Sequence, residues 1–130
     1  MTVEFEDIRI TGVDTDASGG GDDSSALVDV VMTLSKSTPA DWASYFNARW
    51  QQHIYMMKRD AWVSGNHLTI HCVPDELEND HLPELKKIVD ETNQRYKEHL
   101  AQRERDAQRE RERADARKAE LDKLKNIKFD

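Results

Sequence analysis

The chain has 130 residues, 26 acidic and 19 basic, for a formal charge of −7 with its five histidines neutral. Charged residues make up 35% and the apolar set 37%, a balance that excludes a membrane protein, a collagen-like chain and a disulfide scaffold. A single cysteine, Cys72, forbids an intrachain disulfide and a cysteine-rich zinc site. The opening MTVEFEDIRI has no basic region and no apolar core, so no secretion signal is expected, and a cytoplasmic location is. Charge is uneven: residues 1–80 carry 14 acidic and 5 basic groups (−9), residues 81–130 carry 12 and 14 (+2).

The first expected strand runs from Val3 to about Val13. Val3 and Phe5 share one parity while Ile8 and Ile10 share the other, so a bulge near Glu6-Asp7 is expected. Asp14–Ser25 reads as a loop. Residues 26–35 alternate cleanly, with Ala26, Val28, Val30, Met32 and Leu34 on one face and Leu27, Asp29, Val31 and Thr33 on the other. A helix follows, with Ser37 or Thr38 to cap it and Pro39 in its first turn. Trp42, Tyr45, Phe46, Trp50, His53 and Met57 give it one apolar stripe, and it should end between His53 and Met57.

Tyr55–Ser64 and His67–Val73 flank Gly65-Asn66, a two-residue hairpin turn. Counting outward sets Val63 against Leu68 and Ala61 against Ile70 on the core face, with Arg59 against Cys72. Trp62 then meets Thr69 on the other face, and Asp60 meets His71 as a cross-strand pair. After Pro74 and a short helical piece, a long helix is expected from Asp80 or His81. Leu82, Leu85, Ile88, Val89, Tyr96 and Leu100 form its stripe. Continuous to Lys125, it would be about 66 Å long.

The pattern predicts an α+β fold: a four-stranded antiparallel sheet in β-β-α-β-β-α order, with a long C-terminal helix. Residues 1–100 form the expected head and 101–130 a charged helical extension. Leu100, Ala107, Ala114 and Leu121 recur at intervals of seven, but the companion seam position stays charged until Leu124. Leu121, Leu124, Ile127 and Phe129 return apolar character after twenty residues almost without any. Leu27, Val31 and Trp62 gather on the second sheet face, to be covered by the long helix or by a second subunit.

The loop Asp14–Ser25 resembles the EF-hand calcium loop: Asp14, Asp16, Ser18 and Asp22 fall at positions one, three, five and nine, with Gly19 at the turn. Ser25 stands where that family has a bidentate Glu, and strands rather than helices flank it. The resemblance implies a calcium-responsive regulator. His53, His67, His71, Cys72 and His81 raise zinc, but His67 and His71 on one strand lie about 13 Å apart, too far for one ion. No nucleophile–base motif or cofactor fingerprint is present, so neither enzyme activity nor a cofactor is expected. The segment 102–118 carries six Arg and one Lys against five acids, the alternative footprint for nucleic acid, though alternating signs leave no basic face. The leading expectation is a non-enzymatic protein-interaction module that self-associates as a homo-oligomer or meets another protein partner. An acidic inhibitor belongs to the same class.

Overall fold

The computed structural model describes residues 5–19 and 26–129. They separate into two compact units, 5–96 and 97–129. The first holds β1 (Ile10–Val13), β2 (Val28–Leu34), α1 (Ala40–Gln52), β3 (Ala61–Ser64) and β4 (His67–Cys72). A 3₁₀ turn (Pro74–Glu76) and a π-helical turn (Leu77–His81) then lead into α2 (Leu82–Lys123). The four strands form one antiparallel sheet in the spatial order β1-β2-β4-β3. The fold is α+β with a long second helix, and it adds short helical turns on both sides of α2.

Period-two alternation decides which side chains are buried. Val30, Met32 and Leu34 of β2, Ala61 and Val63 of β3, and Leu68, Ile70 and Cys72 of β4 all point to one face. The hairpin register pairs Val63 with Leu68, Ala61 with Ile70 and Trp62 with Thr69. Gly65 has φ +61°, where a type II′ turn takes glycine. The two hairpins meet along β2 and β4, with Val30 opposite Ile70 and Met32 opposite Leu68. Trp42, Phe46 and Trp50 from α1 cover this face, their rings stacked in near-parallel steps of 5.9 and 6.1 Å. Leu85, Ile88 and Val89 of α2 complete the core.

Three local expectations are corrected. The first strand is shorter, and its irregularity lies between Ile10 and Gly12 rather than at Glu6-Asp7. Ile8 leaves the ladder and turns inward, because the Asn93 side chain serves as a surrogate strand. Its Oδ1 accepts the Ile8 N–H at 3.0 Å and its Nδ2 donates to the Ile8 carbonyl at 2.9 Å. Val3 lies outside the described residues; Phe5 packs on Tyr96 at 4.7 Å.

Second, α1 has no side-chain cap: Pro39 occupies the N-cap. The Thr38 hydroxyl and N–H both donate to the Gly65 carbonyl instead, at 2.8 and 2.9 Å. Third, residues 55–60 are not strand, which begins only at Ala61. Met57 takes φ 63°, and the segment wraps the end of α1. There Trp50 Nε1 donates to the Arg59 carbonyl at 3.0 Å, and Lys58 Nζ donates to the carbonyls of Trp50 and Gln51.

In the second unit α2 continues to Lys123, a 3₁₀ turn covers Leu124–Asn126, and Ile127 leaves it extended (φ −72°, ψ 131°). At 1.5 Å per residue the 42 residues of α2 amount to about 63 Å of helix. Every residue from Ala101 to Phe129 is exposed. Its side-chain bonds are local, such as Gln102 to Asp106, Arg111 to Gln108 and Arg109 to Asp106. Among the described residues no helix is long and apolar enough to cross a membrane.

Candidate functional site

The densest polar cluster in the unit 5–96 joins the wrap after α1 to the turns before α2. Tyr55 Oη lies 2.8 Å from His81 Nδ1, and His81 Nε2 lies 3.2 Å from Glu76 Oε1. Arg59 grips both oxygens of Glu76, through Nε and Nη2, each at 3.2 Å. His81 is fully buried, because the π-helical turn rotates it inward just ahead of α2. Beside it, His53 at the end of α1 meets Glu84 at 2.7 Å and packs on Trp50 and Tyr55.

The two ring nitrogens of His81 link the Tyr55 phenol to the Glu76 carboxylate. Burial, reinforced by the charge of Glu84, pushes the Tyr55 phenol up to about 12. The Arg59 guanidinium, and then His81, hold the Glu76 carboxyl down at about 2. The result is a phenol held protonated and a carboxylate held charged at neutral pH, with His81 between them. These bonds fasten residues 53–60 to 74–84.

Sequence reasoning missed this cluster. Its bonded partners lie 5, 17 and 26 positions apart, so no motif spacing joins them. Of its members, only His53 and His81 were singled out, as metal candidates. Asn93 was missed as well, although a lone Asn amid an apolar helical stripe is a signal of a buried polar tie.

Among the described residues of the unit 5–96, the helices pack on the inner sheet face and leave the outer one without a helix. Val31, Thr69 and Trp62 form one cross-strand row, with Trp62 40% exposed. Val31 and Trp62 therefore share a face but are separated by β4. Leu27 precedes β2 and is half-buried. On the same face His71 Nδ1 meets Asp29 Oδ1 at 2.9 Å. This corrects the expected Asp60–His71 pair: β2 lies beside β4, so Asp29 stands directly opposite His71, while Asp60 contributes only its carbonyl to the His71 N–H.

The acidic loop is described as far as Gly19; Asp22, Gly21 and Ser25 lie outside the described residues. Asp14 Oδ1 caps its own turn by accepting the Ala17 N–H at 3.1 Å. The Ser18 hydroxyl donates to the Asp14 carbonyl at 2.6 Å and accepts the Val31 N–H at 2.8 Å. Two of the four expected ligands thus serve the turn and β2. Histidines 53, 67, 71 and 81 each face one carboxylate: Glu84, Asp14, Asp29 and Glu76. Among the described residues no three His, Cys, Asp or Glu side chains converge in a metal-ligating group.

A shallow groove runs between edge strand β1 and the start of α2. Ile10, Met32, Leu77, Leu82 and Lys86 line a central hollow of about 180 Å³. Beyond Val13 it opens into a larger apolar hollow of about 320 Å³, bounded by Val28, Val30, Pro74 and Leu77. Past Ile10 a third of about 250 Å³ meets Arg9, Val89 and Asp90. Val13, shared by the first two, is 46% exposed.

In the unit 97–129, Ala107 and Ala114 are exposed and Leu100 is half-buried. Leu121 and Leu124 are each 55% exposed, Ile127 48% and Phe129 90%. Comparisons with protein-family models, curated proteins and solved structures found no match to the chain.

Proposed function

We propose that the chain is a non-enzymatic protein-interaction module that self-associates. The observation that carries this reading is the run of exposed apolar side chains Leu121, Leu124, Ile127 and Phe129, at the end of a stretch with no buried residue. Side chains of that size gain roughly 1.5–3 kcal/mol each from full burial, so together they favour a covering surface. The polar cluster around His81 supports the same reading, since its donors and acceptors are turned on one another.

The test is the mass of the full 130-residue chain in solution across a wide concentration range, beside a variant with Leu121, Leu124, Ile127 and Phe129 all changed to Ser. The full chain is expected to exceed its 15.1 kDa monomer mass as concentration rises, and the variant to stay monomeric. A full chain that is monomeric at millimolar concentration removes self-association.

A further inference from the structure

The groove beside β1 and the apolar segment 121–129 have matching properties. The groove is open: Val13 is 46% exposed, and Val28, Leu77 and Leu82 are only half-buried. It lies along an edge strand, which among the described residues has a strand neighbour on one side only. The segment leaves α2 extended at Ile127. In an extended chain residues i and i+2 point the same way, so Ile127 and Phe129 present one apolar edge with Lys128 opposite. Charge agrees at the wide end, while Arg9 and Lys86 line the rest of the groove. Residues 121–129 carry Lys123, Lys125 and Lys128 against Asp122. The wide end of the groove is flanked in sequence by Asp75 and Glu78, next to Pro74 and Leu77, and by Asp14 and Asp16, within a stretch of −9.

We propose that residues Ile127–Phe129 of one copy lie along β1 of a second copy, placing the Ile127 and Phe129 side chains in the groove between Val13, Leu77 and Leu82. The contact is strand addition to a sheet edge: backbone pairing supplies register and alternate side chains supply selectivity. The short β1, bent by the irregularity at Thr11, limits the addition to a few residues. This inference rests on the self-association proposed above and names its surface.

The experiment is complementation in the full-length chain. Val13→Glu spoils the groove at an exposed site, and Phe129→Glu spoils the segment. Each variant alone should associate at least tenfold more weakly than the parent, as loss of one large buried apolar side chain implies. Mixed in equal amounts, the two should associate more strongly than either alone, because the intact groove of one then meets the intact segment of the other. Circular dichroism checks the fold of each variant; should Val13→Glu misfold, Phe129→Glu with Ile127→Glu still tests the segment half. Isotope-labelled Phe129→Glu chains, mixed with unlabelled Val13→Glu chains, should show amide shifts at Ile10–Val13.

Association that survives both substitutions, or variants that fail to complement, overturns the inference and leaves self-association standing. A parent that stays monomeric overturns both. A monomer whose Ile10–Val13 amides shift on Phe129→Glu has the segment in its own groove, which also overturns it.

Discussion

At the scale of single residues, the unit 5–96 depends on a few buried polar side chains that take the place of backbone partners. Asn93 is the clearest. It meets both polar atoms of the Ile8 backbone, and its Oδ1 also accepts Trp42 Nε1–H at 2.9 Å. Asn93→Ala would leave two buried donors and one acceptor without it. The expected loss is about 3 kcal/mol or more, read by urea denaturation, at roughly 1–3 kcal/mol per orphaned group. Glu76 makes a prediction in pH. Its carboxyl sits near 2 in the folded chain, below its ordinary value of 4.5. Its contribution to stability is therefore complete above about pH 4.5 and is lost as pH falls toward about 2. Glu76→Gln should lower stability at neutral pH and flatten the acid limb between those values, as followed by denaturation at a series of pH values.

Among the elements, the second hairpin was the most legible from sequence. Gly65-Asn66 set the turn, and period-two counting then placed Val63, Leu68, Ala61 and Ile70 on the core face. Gly65→Ala should cost about 1–2 kcal/mol through its positive φ alone, since an added Cβ there meets nothing within 4 Å. Thermal denaturation would read it, and an unchanged midpoint would show that the turn relaxes freely. The stripes Trp42–Phe46–Trp50 and Leu85–Ile88–Val89 were legible for the same reason: apolar periodicity is local. What escaped was non-local. The order of strands decides that Asp29 rather than Asp60 faces His71, and no spacing within the second hairpin contains that order. Residues 55–60 look extended by composition, yet Tyr55, Lys58 and Arg59 bond to His81, the end of α1 and Glu76, and Asp60 alone of the segment bonds to β4. The parity change between Phe5 and Ile8 implies a bulge in the sequence, whereas the partner that holds Ile8, Asn93, lies 85 positions away. The groove was hidden for a like reason: β1 and Leu77 meet only in the folded chain.

For the whole molecule, charge and apolar surface are distributed in opposite senses. Residues 1–80 carry a net −9, while the exposed apolar run sits among lysines at 121–129. Association driven mainly by the apolar side chains should weaken only a few-fold between ~50 and ~500 mM salt, because screening removes just the charge contribution. Sedimentation across that range measures it; a loss of several hundred-fold would assign the contact to ion pairs. A different consequence follows from Cys72. It is the sole thiol, it is fully buried on β4, and burial pushes its ionisation above the ordinary value. Only the thiolate attacks alkylating reagents. Modification therefore has to await an opening of the sheet, and a dilute electrophile becomes a stopwatch for that event. Counting tagged molecules against time by mass spectrometry would give the opening rate of this strand in a living cell as readily as in a test tube.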